Sequence, residues 1–314
     1  MTAIGDFLGL ALSSLTPILI AALASKYAER SGATNIAIDG MMLLSALAAL
    51  SLAYATGNPW IGLLAAIGAG VVCALLLAFF AFGLQSNLVI AGIAFNLLAV
   101  GLSFLILQSV LGAAGNFSPF GVTLIPRIEM AWLEGVPILG EMFRRQSALV
   151  YVVIGAALAI SLVLDRSAFA VQVRAVGEAE EASEAVGVRI WLIRTVALAI
   201  SGAGAGVAGT YLTLSSVGSF NPGLTGGLGF IAFSAVIFGR ATPPGIILAS
   251  VLFATFGALV ITLQGMRLFN SQLLQALPYI TTMLALAFHG FHRRKRERFE
   301  TTETTSMPVI LPRG

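Results

Sequence analysis

The sequence predicts an all-α integral membrane protein of about nine transmembrane helices, with an inverted repeat, its N-terminus outside and its C-terminus inside. Three observations lead to this fold class. Of the 314 residues, 58% are hydrophobic and 10% are charged, and the mean hydropathy is +0.97, outside the range of soluble proteins. Apolar runs recur along the chain at the length of about 20 residues that a bilayer core requires. Lys and Arg are distributed unevenly between the connections of these runs.

Nine apolar runs bounded by polar, Gly or Pro residues are predicted to be transmembrane helices. They cover about residues 7–24, 36–55, 60–84, 87–110, 147–164, 190–213, 226–239, 243–263 and 271–289. An odd number of spans places the two termini on opposite sides of the membrane. No Lys or Arg precedes the first run, which therefore lacks the basic segment of a secretory signal peptide and is predicted to be retained.

The positive charges identify the inside face. With the C-terminus inside, thirteen Lys and Arg residues lie in or beside the cytoplasm and four lie outside. Positive charges concentrate on the cytoplasmic side of membrane proteins, so the basic tail, residues 291–314, is predicted to be cytoplasmic. The inside set is Lys26, Arg30, Arg166, Arg174, Arg189, Arg194, Arg240, Arg293, Arg294, Lys295, Arg296, Arg298 and Arg313.

Two connections are longer than the others. Residues 111–146 are predicted to form an external, structured flap of about 35 residues. Residues 165–189 form an internal loop whose centre, residues 178–186, is rich in Glu and Ala and contains no Pro. This composition predicts a helix between Gly177 and Gly187. A solvated charged loop is the alternative for this segment.

Two segments carry backbone breakers close to membrane depth. Residues 29–40, ERSGATNIAIDG, precede the second run, and residues 219–230, SFNPGLTGGLGF, lead into the unusually short seventh run. Four runs precede the fifth run and four follow it. The sequence therefore predicts an inverted repeat in which each broken segment leads into the second helix of its half. An ordinary irregular loop is the alternative for either segment.

The sixth run contains SGAGAGVAG, in which Gly202 and Gly206, and also Ala205 and Gly209, are spaced four residues apart. Small residues at this spacing allow helix backbones to approach closely. We expect packing against other helices of the same chain rather than a dimer seam.

The sequence lacks the motifs of several enzyme classes. It contains no phosphate-binding GxxxxGKS or GxxxxGKT loop and no HExxH zinc motif, and a single cysteine, Cys73, excludes an internal disulfide. The chain is therefore predicted to be neither an ATPase nor another enzyme, and to hold no metal. Asp39 is the one acid that could serve an ion-coupled carrier. The alternative is a conduit whose energy comes from elsewhere.

Four segments together resemble one family. Residues 174–188, RAVGEAEEASEAVGV, look like the cytoplasmic coupling loop of bacterial ABC importer permeases of the branched-chain amino acid and simple sugar type, with Ala179 and Glu180 in place of a frequent Asn-Pro pair. Three further blocks match at family spacing, and the first two are most similar to the nucleoside-type branch. These blocks are ERSGATNIAIDGMML (29–43), NLVIAGIAFNLLAVGL (87–102) and GGLGFIAFSAVIFGR (226–240). The resemblance spans about residues 8–289.

The resemblance implies a single transmembrane permease domain, residues 1–314, in the cytoplasmic (inner) membrane of a bacterium. It implies transport of a nucleoside or a simple sugar with ATP hydrolysed by a partner subunit. The implied partners are a cytoplasmic ATP-binding subunit, a second permease subunit, identical or different, and an external substrate-binding protein, beside membrane lipid and without a nucleic acid polymer. This chain is expected to bind no cofactor, since ATP and Mg belong to the ATPase.

The candidate site residues form two groups. Coupling to the ATPase is assigned to Arg174, Gly177, Glu178, Glu181, Glu184 and Gly187. The translocation path is assigned to Asn35, Asp39, Phe95, Asn96, Asn221 and Phe230, because amide and aromatic groups suit a nucleoside. Ordinary helix packing is the alternative for each path residue. For the whole chain the alternatives are an ion-coupled secondary carrier using Asp39, a branched-chain amino acid permease of the same family, and a purely structural membrane subunit.

Overall fold

The computed structural model describes residues 2–265 apart from residues 114, 129–142, 144–145 and 163. The contacts discussed below lie within the compact unit Met1–Thr262. Of the second unit, Leu263–Gly314, the described residues are the last three of a helix. The elements are α1 Thr2–Arg30, α2 Ile38–Thr56, α3 Pro59–Ala78, α4 Leu88–Ser109, β1 Arg127–Ile128, β2 Gln146–Ser147, α5 Ala148–Leu162, α6 Ala168–Glu178, α7 Glu180–Ala185, α8 Ile190–Thr210, α9 Leu228–Phe238 and α10 Pro243–Gly265.

Three of these helices are followed by a segment of a different helical form. A π-helical turn, Phe79–Gly83, follows α3, and a longer π-helix, Tyr211–Val217, follows α8. A 3-10 turn, Leu164–Arg166, follows α5. Each π-helix extends a membrane-spanning helix towards the next connection. Because its hydrogen bonds run from i to i+5, its turns are wider than those of the α-helix before it.

Seven helices within the described residues are long and apolar enough to cross a membrane, and α9 is a shorter apolar helix. Eight of the nine predicted runs therefore correspond to helices whose ends differ from the prediction by a few residues. The largest difference is in the first run, because α1 continues to Arg30. The ninth run, 271–289, lies outside the described residues. The count of nine and the orientation of the termini stay predictions.

The predicted external flap is described only in part. Strand β1 pairs antiparallel with β2, and Arg127 lies opposite Ser147. At the beginning of the flap, Phe117 and Phe220 exchange two backbone hydrogen bonds of 2.8 and 2.9 Å. These bonds join the flap to the segment that precedes α9.

Helix α8 lies at the centre of the bundle, where it packs against α1, α2 and α3. A Cβ atom on Gly202 would overlap the carbonyl of Gly70 in α3, and one on Gly206 would lie 2.5 Å from the carbonyl of Ala66. Gly209 approaches Met42 of α2 in the same way. The glycines thus allow backbone contact between helices. The prediction that this small-residue segment packs within its own chain is confirmed.

Candidate functional site

The break between α1 and α2 is bridged by a side chain of α4. Seven residues, 31–37, separate the two helices and leave backbone groups without helical partners. Asn96 donates from Nδ2 to the carbonyl of Ile36 at 2.9 Å, and its Oδ1 accepts from the N–H of Gly40 at 2.8 Å. Because an unpaired buried backbone group costs about 1–3 kcal/mol, Asn96 stabilises this break.

Asn35 lies inside the same break and forms hydrogen bonds with backbone and side-chain groups around it. Its side chain is buried, with 2% of the residue exposed. Oδ1 accepts from the N–H of Ala37 at 3.0 Å, and Nδ2 donates to Oγ of Ser201 in α8 at 2.8 Å. The hydroxyl of Ser201 in turn lies 2.6 Å from that of Ser25 in α1. Asn35 therefore links the broken segment to the two helices that it packs between.

Asp39 joins the two broken segments to each other. Its Oδ1 accepts from the backbone N–H of Gly229 at 2.9 Å, and its Oδ2 accepts from the hydroxyl of Thr225 at 3.1 Å. The N–H of Gly229 is one of the first in α9, which have no acceptor within their own helix. A Cβ atom on Gly229 would overlap the backbone of Asp39. The carboxylate on α2 therefore caps α9, and a glycine at this contact allows it to form.

The structure places the six predicted path residues in different surroundings. Asn35, Asp39 and Asn96 come together around the two breaks, where their polar atoms are bonded to protein groups. Phe95 is buried in the core, with 6% exposed. Asn221 accepts from the N–H of Gly223 at 2.9 Å in an exposed turn, and Phe230 of α9 is exposed. The path assignment stays a prediction, but the geometry at Asn35 and Asn96 favours the packing alternative.

The internal loop contains two helices, although a single helix was predicted over residues 178–186. Helix α6 ends at Glu178, Ala179 adopts φ −147° and ψ 81°, and α7 begins at Glu180. Gly177 lies inside α6, so the prediction that it flanks the loop helix is wrong. Its missing side chain lets α6 contact the carbonyl of Arg30 at the end of α1. Gly187, with φ +84°, turns the chain after α7 as expected.

The predicted coupling charges lie on the surface. Glu178, Glu181 and Glu184 are exposed, as is Arg174, whose Nε donates to the carbonyl of Ala170 at 3.3 Å within α6. Four acids lie on and beside this six-residue helix, and Glu178, Glu181 and Glu184 make its exposed surface negative. These side chains can therefore contact a basic or polar surface of another subunit without first leaving buried partners.

An ion pair that the sequence analysis missed fixes α7 to the bundle. Arg194, in the second turn of α8, donates from Nη1 and Nη2 to the two carboxylate oxygens of Glu180 at 2.9 and 2.8 Å. Its Nε donates to the carbonyl of Ser31, just after α1, at 3.0 Å. Paired N–H···O bonds of this kind also fix the relative orientation of the two groups. We call these three residues the arginine clamp.

A second missed ion pair lies near the same end of α1. Lys26 was assigned to the positive charges in or beside the cytoplasm, but its side chain is fully buried. Its Nζ lies 2.6 and 2.7 Å from the two carboxylate oxygens of Asp165. The hydroxyl of Tyr27 donates to Asp165 at 3.0 Å. These bonds hold the end of α1 against the 3-10 turn that follows α5.

The clamp borders a cavity of about 690 Å³. Its lining includes Glu180 and Arg194 of the clamp, and also Gln85 and Ser86, which follow the π-helical turn after α3. Trp191 of α8 also contributes to the wall. The loop helix and the chain after α3 thus border the same cavity. In the part of the chain that the structure describes, no three His, Cys, Asp or Glu side chains are grouped as metal ligands.

Comparison with known proteins gives the family. Residues 8–286 match the family described as branched-chain amino acid transport system / permease component. The chain belongs to this permease family. The predicted resemblance is confirmed, and the chain is a transport permease, not an enzyme.

Several relatives of this permease have names that refer to a solute. It is 31% identical to a guanosine ABC transporter permease protein of Bacillus subtilis, over 86% of this chain and 87% of the relative. A nucleoside ABC transporter permease protein of Lactococcus lactis is 27% identical over 87% and 88%. A relative in Haloferax volcanii, provisionally named a glucose ABC transporter permease protein, is 30% identical over 92% of each chain.

The permease also shares its fold with a solved structure, PsaBC from Streptococcus pneumoniae in complex with Fab. The TM-score is 0.51 at 14% identity, over 89% of this chain and 90% of that chain. The two ion pairs, Glu180 with Arg194 and Lys26 with Asp165, join residues that lie 14 and 139 positions apart in the sequence. Neither separation corresponds to a helical spacing, so local patterns do not reveal the pairs.

Proposed function

We propose that this permease is the membrane-spanning subunit of an ATP-driven importer for a small polar solute, a nucleoside or a simple sugar, in the cytoplasmic membrane. Relatives named for guanosine, nucleosides and glucose support this solute class. A partner subunit hydrolyses the ATP, an external binding protein delivers the solute, and a second permease subunit completes the path.

The arginine clamp is the observation that carries this proposal. Helix α7 has six residues, and an isolated helix of that length is unstable in water. Its position therefore depends on the contacts at its ends. The clamp ties its first residue, Glu180, both to α8 through Arg194 and to the end of α1 through Ser31. An exposed helix held in this way can transmit a push into two spanning helices.

A contact beside the clamp also joins the internal loop to the end of α1. Gly177 places α6 directly against the carbonyl of Arg30, so both helices of the internal loop bear on the same end of α1. When the ATPase closes, movement of α6 and α7 is passed to α1 and α8. The exposed acids Glu181 and Glu184 provide the docking charges, and such charges contribute more to orientation than to affinity.

A charge-reversal cycle tests the clamp. In membranes with the ATPase, the second permease subunit and the binding protein, Glu180→Arg or Arg194→Glu should lower ATP-driven uptake of uridine or glucose. The double variant restores the ion pair but not the bond to the carbonyl of Ser31, so it should regain part of the uptake. The clamp is partly exposed, with 19% of the Arg194 side chain and 52% of the Glu180 side chain accessible. We therefore expect a loss of about fivefold in each single variant, corresponding to about 1 kcal/mol.

The matched control is Glu184→Gln beside Glu180→Gln, because both acids lie on α7 but Glu180 forms the clamp. Each variant should still retain the ATPase in a pull-down, whereas Glu180→Gln should uncouple hydrolysis from uptake. A double reversal as defective as the single variants would contradict the role of the ion pair between Glu180 and Arg194. Uptake that continues with a catalytically inactive ATPase would contradict ATP-driven import itself.

A further inference from the structure

A second cavity lies at the opposite end of α1, the end predicted to be external. Its volume is about 500 Å³, within the range of small-molecule sites. Its polar walls come from α1, from β2 and from the π-helix after α8, and neither the predicted path nor the predicted coupling residues contribute to it. The polar neutral residues are Ser13, Gln146, Ser147, Tyr211, Ser215 and Ser216.

Irregular backbone on two of these elements faces the cavity. Tyr211 and Ser215 lie on the seven-residue π-helix, and π-helical segments occur frequently at functional sites. On α1, Pro17 has no N–H to donate to the carbonyl of Ser13, one turn earlier. Within a membrane, such interruptions are tolerated where they line a polar cavity or are buried in protein.

The inner wall of the cavity is neutral and rich in hydroxyl groups. Ser13 donates to the Oε1 of Gln146 at 3.2 Å, and the hydroxyls of Ser147 and Ser215 lie 2.9 Å apart. Tyr211 is buried, with 6% exposed, and adds a ring and a hydroxyl. Each hydroxyl and amide can both donate and accept. This wall suits a neutral solute with several hydroxyl groups and one apolar face.

The charged residues of the cavity lie at its rim. Asp6 and Arg127 both line it and both are exposed. Exposed charges of opposite sign are screened by water and contribute little to binding. They would matter most for a zwitterion such as an amino acid, which carries both signs itself. The neutral wall, in which Gln146, Ser147 and Tyr211 are buried, therefore favours a polyhydroxylated solute over an amino acid.

We propose that this cavity is an external binding site for a neutral polyhydroxylated solute, a nucleoside or a simple sugar. The solute occupies this site before the path through the permease opens inward. The choice of solute rests on the proposed function. The site itself rests on the neutral wall, the π-helix and the volume of the cavity.

Thiol protection tests binding without ATP or a partner. Cys73 is the only cysteine, so Cys73→Ala gives a thiol-free chain. In this background Ser216→Cys places a thiol at an exposed position of the cavity, and Thr56→Cys places one at an exposed helix end elsewhere. Uridine or glucose at millimolar concentration should slow labelling of Ser216→Cys at least threefold in open membrane fragments, and leave Thr56→Cys unchanged.

The outcomes separate this site from the proposed function. Protection without ATP-driven uptake would support the site and contradict the importer. No protection by either solute, or protection by leucine alone, would overturn the site. As a second measurement, Ser215→Ala in the Ser216→Cys background should raise the solute concentration that gives half-maximal protection about fivefold, whereas Ser109→Ala, at an exposed helix end, should not. Unchanged protection in Ser215→Ala would also overturn the site.

Discussion

Replacement of Asp39 tests whether its carboxylate has a structural role or carries an ion during transport. In Asp39→Ala the buried N–H of Gly229 and the buried hydroxyl of Thr225 lose their acceptor. A buried donor without a partner costs about 1–3 kcal/mol. We therefore expect the free energy of unfolding to fall by about 2–4 kcal/mol for the two groups together. The loss should be largest where α2 meets α9.

Asp39→Asn is the matched variant, because it removes the charge and keeps the shape. Its Oδ1 can still accept from Gly229, and its Nδ2 can donate to the oxygen of Thr225 after the hydroxyl rotates. The free energy of unfolding should stay within about 1 kcal/mol of the unmodified chain. Uptake should be retained within about twofold, because no charged form of the side chain is needed in this role.

The assay has two parts. Unfolding in mixed micelles with increasing SDS, followed by circular dichroism, gives the stability of both variants. Uptake measured from acid to neutral pH then tests the ion-coupled alternative. A stable Asp39→Asn variant without uptake would refute the capping role. So would uptake that is steeply pH-dependent in the unmodified chain and pH-independent in Asp39→Asn, because that pattern identifies Asp39 as the coupling group.

Three other predictions concern packing, charge and topology. Gly70→Ala should destabilise the protein, because the new methyl group would overlap the carbonyl of Gly202 in α8. Gly68→Ala on the same helix meets open space and should be neutral or stabilising by up to about 1 kcal/mol. Thermal unfolding in detergent compares the two variants. Lys26→Met should cost about 3 kcal/mol, because the carboxylate of Asp165 loses its cation in a largely buried site and keeps only the hydrogen bond from Tyr27. Adding Asp165→Leu should restore most of the stability measured in SDS. Reporter fusions to the two termini should report opposite sides of the membrane; the same side for both would contradict the odd number of spans.

Helix positions were predictable because their signal is long and local. Runs of about 20 apolar residues between charged or Gly-rich segments leave few alternatives in a bilayer. Even the short α9 was predictable, since Gly and Pro before it limit its length. The break at Ala179 was not, because Ala is the residue that most favours a helix. There, contacts distant in sequence, Glu180 with Arg194 and Gly177 with Arg30, determine where one helix ends and the next begins.

The candidate site was predictable in position but not in role. The sequence identified the two broken segments and the polar residues Asn35, Asp39 and Asn96. Whether such residues face a solute or satisfy the backbone depends on which groups lie opposite, and the same donors and acceptors suit both roles. The structure places backbone groups opposite Asn96 and Asp39. Residue type alone could not make this distinction.

Two helices connect the arginine clamp with the external cavity. Helix α1 carries Ser13 at the cavity and ends one residue before Ser31 at the clamp, a separation of about 27 Å at 1.5 Å per residue. Helix α8 carries Arg194 and continues to Tyr211, about 26 Å away. Close backbone contacts through Gly202 leave α8 little room to bend against α3. If the ATPase displaces α7 as proposed, we expect the displacement to pass along α8 as far as Tyr211. In α1, Pro17 lies between Ser31 and Ser13 and removes a helical hydrogen bond, so this helix should transmit less of the movement to the cavity.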